Sequence, residues 1–367
     1  MIPITEGRSV FTNVILEQWD ELKELQSKSF LRSFATKKTS STLEVSIEVR
    51  RGTEKVAVDV LRGTNGNRNA ISRSTERIIV PPYFKEYIDI TELQHYDRLF
   101  GVNATGTISA NMVTTLIQGA LEQIGIVKKK IERAYELQVA QVLESGIVLL
   151  NTSDNIDFKR KAASMYDATA AGYFNNPNVD PETEFIRAAE FLRKTGKSTD
   201  GVFNVIMGSN VYPAFKQNPF IKEKNYNTNI KLIELHMPQA NAEGGVLMGQ
   251  YSAGSYLFNI WTYPEFYEDS TGTMVPYIDE NQAIFLPVQS LRMVLAHGGV
   301  PAVFKSETGQ PAGIVSMEGD YVVNSFIDEE GMKHVFNLQS AGVVVPVSID
   351  RIYTLIAYGT VTNPIAG

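Results

Sequence analysis

The stretch that most constrains this chain runs from Ser109 to Glu144 without a single proline. Val113, Ile117, Ala120, Ile124, Val127, Ile131 and Ala134 recur at alternating steps of four and three, which keeps them on one helical face. Leu116, Leu121 and Leu137 widen that face, and Lys128, Lys129, Lys130, Glu132, Arg133 and Glu136 are expected mostly outside it. At about 1.5 Å per residue such a helix would span roughly 54 Å, longer than most globular helices. A two-stranded coiled coil uses similar spacing, but Gly119, Gly125 and the polar Gln138 at or near stripe positions weaken it. The preferred reading is a backbone helix that sheets pack against, closed by Gly146 and followed by the strand-like Ile147 to Leu150.

The 367 residues hold material for two or three domains, and 43% hydrophobic with 20% charged residues is a folded composition. The absence of cysteine excludes disulfides and thiolate metal sites, and fits folding in a reducing cytoplasm. No signal peptide is expected beside Glu6, Arg8 and Glu17, and no run of apolar residues is long enough to span a membrane. A net charge of −7 argues against a dedicated nucleic-acid binder, although mild acidity suits tolerating nucleic acid nearby.

Residues 1–42 read as an arm. Asn13 to Ser27 has an apolar side in Val14, Ile15, Trp19, Leu22 and Leu25, followed by Phe30, Leu31 and Phe34 and a polar string from Lys37 to Ser41. Such an arm docks on its own subunit or lies on a neighbour. Residues 43–90 read as a long hairpin. Leu43, Val45, Ile47 and Val49 alternate with polar residues, Val56, Val58 and Val60 repeat the pattern, and Ile78 to Val80 form the return. Gly63 to Asn69 is turn chemistry, and Arg62, Arg68, Arg73 and Arg77 against one glutamate give this tip a net +3. A long hairpin with little apolar content is not stable alone. Its tip is a solvated loop or, as its length favours, a flap across another subunit.

Glu86 to Gly106 is expected as a polar connector anchored by Tyr87, Ile88, Leu93, Tyr96 and Leu99. Asp180-Pro181 opens a helix that Gly196 stops, Val202 to Met207 is a strand, and Ser209 caps a short helix ending before Pro219. Short strands follow at 246–248, 256–263, 274–278, 283–287 and 291–295, with buried strands at Val343 to Val347 and Ile352 to Ala357.

No residue set carries convincing chemistry. Thr195 to Thr199 ends like a phosphate-binding loop, yet Phe191 stands where that loop needs glycine, so a helix end is the better reading. His95, His236, His297 and His334 show no paired ligand spacing. Glu265, Glu268, Asp269, Asp279 and Glu280 sit in turns, where an acid–base pair or calcium site competes with plain surface acids. No catalytic residue, cofactor or metal is expected.

The order of parts resembles the major capsid protein of tailed bacteriophages, in particular the lambda-type major capsid protein E family. The resemblance rests on Val56-Ala57-Val58-Asp59-Val60 with Arg62-Gly63, Ile79-Val80-Pro81-Pro82-Tyr83, and the long helix. It continues through Gly201 to Gly208, Ala214-Phe215, Asn218-Pro219, Leu257 to Tyr263, Glu268-Asp269 and Val275 to Ile278. It implies an α+β, HK97-like capsid fold with an N-terminal arm at 1–42 and an extension loop at 43–90. A peripheral domain at 91–180 and 339–367 would carry a spine helix at 109–145, beside an axial domain at 181–338. The implied role is a head protein assembling as pentamers and hexamers into an icosahedral shell around double-stranded DNA, contacted non-specifically, with Arg62, Arg68, Arg73 and Arg77 as intersubunit contacts. Many copies of itself are the implied partners, with scaffold, portal and decoration proteins as further candidates and no membrane. The rivals are an encapsulin-like nanocompartment shell and a cytoplasmic enzyme using carboxylates in the 230–338 lobe.

Overall fold

The structure is a computed structural model that describes residues 29–49, 75–91, 110–150, 155–226, 233–241, 243–305, 311–328 and 333–360. Helix α1, Ala110–Glu144, is the backbone helix, about 52 Å long at about 1.5 Å per residue. Over the described side chains, Ile124, Ile131, Tyr135, Val139, Val142 and Leu143 are buried, while Lys129, Lys130 and Arg133 face water. Lys128, Glu132 and Glu136 depart from expectation, for all three are buried. The chain that covers them comes from about a hundred residues away, so helical spacing does not reveal it. Gln138 is buried too, and its Oε1 accepts the Val344 N–H at 3.2 Å, tying helix to sheet. Gly146, at φ +76°, ends the helix with its N–H turned back to the Gln141 and Val142 carbonyls.

A five-stranded sheet lies against α1. Its axis is the fourteen-residue strand Lys333–Pro346. That strand pairs antiparallel with Tyr83–Thr91 and Val322–Asp328 over its first part and with Met293–His297 over its end. Ala35–Thr39 then adds parallel to Met293–His297. Two segments therefore differ from expectation. Part of the supposed connector is a strand, with Phe84 and Ile88 against the core and Tyr83, Lys85 and Tyr87 outward. The polar string after Phe34 is a strand as well, recruited by pairing rather than by apolar content. Leu93, Tyr96 and Leu99 lie outside the described residues.

The second sheet has seven strands in the order Met165–Asp167, Tyr353–Ile356, Gln282–Pro287, Val202–Met207, Tyr256–Thr262, Val246–Ala253 and Ile233–Ala240. Helices α2 (Glu182–Lys194), α3 (Val211–Gln217) and α4 (Pro219–Tyr226) accompany it. Asp180 caps α2 by accepting the Glu182 N–H at 3.0 Å. Ser209 caps nothing. Pro219, expected beyond a helix end, instead opens α4, where Asn218 accepts the Phe220 N–H and donates to the Phe174 and Val179 carbonyls. Phe185 is the centre of this core, with Phe174, Phe215, Tyr251, Phe258 and Phe285 rings 4.9 to 5.8 Å away.

The expected boundary at residue 338 falls inside the strand Lys333–Pro346. Strands 293–297 and 322–328 join the helix-backed sheet, whereas Tyr353–Ile356 joins the seven-stranded one. The chain crosses between sheets twice more than a simple two-part division allows.

Candidate assembly surface

A strap formed by residues 29–42 crosses the molecule. Phe30 lies against Trp261 and Tyr263 at ring-centroid distances of 5.1 and 5.6 Å, in the space that a side chain at Gly245 would fill. The backbone N–H groups of Leu31 and Arg32 donate to the Glu136 carboxylate at 3.0 and 3.2 Å, and the Tyr263 hydroxyl donates at 2.8 Å. The Arg32 guanidinium stands 3.6 Å from Glu136 and 3.7 Å from Glu132. Burial pushes the Glu136 carboxyl above its usual range, against the pull of those donors. Further on, Lys37 pairs with Asp320 at 3.0 Å and Thr39 donates to Glu318 at 2.6 Å. The end of the strap is clamped by the Gly299 N–H on the Thr42 carbonyl. Of the two readings of the arm, this part docks on its own subunit; residues 1–28 lie outside the described residues.

The strap delivers the chain into the root of the hairpin, where Val45–Val49 pairs antiparallel with Thr75–Ile79. Ile79 is buried and Val45 packs beside it on the core. Around the root, Leu43 at 59%, Ile78 at 62% and Val80 at 65% exposure stand bare. Tyr83 and Tyr87 continue this exposed rim along the next strand. A two-stranded ribbon that leaves such apolar side chains in water is marginal on its own. Of the candidate contact residues, Arg77 lies in the Thr75–Ile79 strand, while Arg62, Arg68 and Arg73 lie outside the described residues, as do Val56, Val58 and Val60.

Arg160, which no motif pointed to, joins the end of α1 to the seven-stranded sheet. Its buried guanidinium donates to the Leu143 and Glu144 carbonyls at the end of α1, to Ser164, to the Ile352 carbonyl and to the Thr354 hydroxyl, at 2.7 to 3.1 Å. A cation there also suits the negative end of the helix dipole. Burial draws its pKa down to about 9. Beside it, Glu144 accepts the Asp279 N–H at 2.6 Å, and burial together with the Asp279 charge pushes its carboxyl up to about 7.

The residues examined for chemistry are scattered. His297 is buried, and neither ring nitrogen has a hydrogen-bond partner. Its Nε2 stands 4.0 Å from Asp320, and burial draws its pKa down to about 4. His95 lies outside the described residues, and His236 and His334 occupy separate strands. Asp269 closes its own turn by accepting from Thr271 and Thr273, and Asp279 caps Asn281. Lys197, at φ +51°, belongs to the turn after α2, as the helix-end reading requires. Among the described residues no three His, Asp or Glu side chains gather as metal ligands, and no helix is long and apolar enough to cross a membrane.

The sequence matches the phage major capsid protein E family over residues 11–355. The chain belongs to that family. A prophage capsid protein from E. coli CFT073 is similar in fold at TM-score 0.55 and 16% identity, over 90% of this chain and 93% of that one. The capsid of Ralstonia phage GP4 shares 12% identity over 92% of this chain and 93% of that one, at TM-score 0.46. The capsid of bacteriophage PhiM1 shares 10% identity over 89% and 86%, at TM-score 0.43. No curated protein matches. The chain is a phage major capsid protein with the α+β, HK97-like fold, and its work is structural.

Proposed function

We propose that this capsid subunit assembles as pentamers and hexamers into the icosahedral head of a phage, enclosing double-stranded DNA that it contacts only non-specifically. Assembly takes place in the host cytoplasm, with no catalytic step by the subunit itself. Residues 43–90 act as an extension loop over a neighbour, carrying Arg62, Arg68, Arg73 and Arg77 to the contact. The α1 sheet serves as the peripheral part and the seven-stranded sheet as the axial part.

The observation that supports this most is the hairpin root, where Leu43, Ile78 and Val80 stand exposed and nothing in the described subunit covers them. Closing a shell repeats such a contact many times, so each need only be weak. Electron microscopy with sedimentation of the purified chain tests the proposal, with large closed particles expected and discrete dimers or tetramers at every salt concentration contradicting it. Deleting Gly63 to Arg73 should leave a folded, soluble subunit that forms no particles, and normal particles from this variant would remove the hairpin from the contact.

A further inference from the structure

The charge of this chain is unevenly placed. Residues 232–291 contain seven carboxylates and no lysine or arginine, so this stretch carries the whole net charge of −7 and the remainder is balanced. Five of the seven, Glu265, Glu268, Asp269, Asp279 and Glu280, cluster around one small hairpin in which Phe266–Glu268 pairs with Met274–Pro276. Among the described residues no salt bridge reaches any of the five.

The two faces of that hairpin differ. Tyr267 turns inward to Tyr277, with ring centroids 5.1 Å apart. Phe266, Glu268 and Met274 turn outward, with Phe266 at 48% and Met274 at 62% exposure. An exposed ring and thioether flanked by unpaired carboxylates suit a guanidinium, which stacks on an aromatic face while pairing with an acid.

We infer that this outward face receives the arginine-bearing segment 62–74 of a second copy of the chain. The inference rests on the shell reading above and names the surface on which the extension loop lands. Charge is the first argument, because the +3 of residues 62–74 opposes the −7 of residues 232–291. Reach is the second. The 25 residues between the paired strands at Val49 and Thr75 allow a turn to extend roughly 40 Å from the root. Placement is the third. In one subunit the hairpin root and the acidic hairpin lie at opposite ends of the strap, where Thr42 bonds Gly299 and Phe30 packs on Tyr263.

The natural absence of cysteine makes the test direct. Met274→Cys is combined, one at a time, with Arg62→Cys, Asn65→Cys, Arg68→Cys and Arg73→Cys in the full-length chain, and assembled particles are treated with a short bismaleimide. At least one pair should give a ladder of covalently linked subunits on a denaturing gel. Linkage within single subunits only, or no linkage from well-formed particles, overturns the inference. In parallel, Glu265→Lys with Glu268→Lys should leave a folded subunit and abolish particles, and adding Arg68→Glu with Arg73→Glu should restore them. Normal particles from the lysine variant overturn this contact alone, whereas wild-type protein that never exceeds a small oligomer overturns the shell reading itself.

Discussion

The core around Phe185 and the root of the hairpin are built from similar residues and reach opposite ends. Phe185 meets five aromatic rings from three strands, one helix and a turn, all within one subunit, and none of its surface reaches water. Ile78 and Val80 are as apolar, sit on an ordered strand pair, and remain more than half exposed. A single chain thus holds one region that folding completes and one that it leaves open. The lesson is that subunit stability and assembly are written in different places, so each can be changed without the other.

Four variants probe that separation, in descending order of their effect on the isolated subunit. Phe185→Ala opens a cavity in the closed core and should cost about 3–5 kcal/mol, read as a shift in the urea midpoint. Arg160→Met removes the guanidinium donor from the Glu144 and Ile352 carbonyls, and leaves the Leu143 carbonyl to the Thr354 hydroxyl, and should cost about 3 kcal/mol by the same measurement. His297 gives a pH effect, because its folded pKa of about 4 lies below the ordinary 6.5. Between those values the unfolded chain binds a proton that the native one refuses, so stability falls as pH drops through this window and levels off below it. The loss amounts to about 2–3 kcal/mol, and His297→Leu should flatten it in melts recorded from pH 7 to pH 4. Ile78→Ser with Val80→Ser should move the midpoint by about 0.5 kcal/mol or less, yet sharply reduce particle yield in sedimentation. A large loss of subunit stability from this last pair would erase the contrast.

The long helix was legible because thirty-five residues of regular spacing leave little alternative, and Gly146 marks its end. Five strands of the seven-stranded sheet were legible for the same local reason, as apolar runs between breakers, whereas Met165–Asp167 and Ile233–Ala240 were not. What stayed hidden depends on distant chain. Lys128, Glu132 and Glu136 read as solvent-facing until Leu31 and Arg32 arrive from the strap. Arg160 binds carbonyls at 143, 144 and 352, and carbonyls leave no trace in residue identity. The strand Lys333–Pro346 contains Ser340-Ala341-Gly342, which reads as a break, though Gly342 is there because the Tyr135 hydroxyl would lie 2.7 Å from any Cβ. For the assembly surface, the arginine cluster and the turn chemistry of the hairpin were visible in sequence. The acidic counterpart at Glu265 and Glu268 read only as turn acids, since nothing local shows that they lack counter-ions.

Amide hydrogen exchange on the same chain, first as free subunits and then as particles, tests the central claim most directly. The account predicts that residues 43–49 and 75–80 gain strong protection on assembly while Val202–Met207 and Gln282–Pro287 are equally protected in both states. A hairpin root already as protected in the free subunit as in the particle would contradict it.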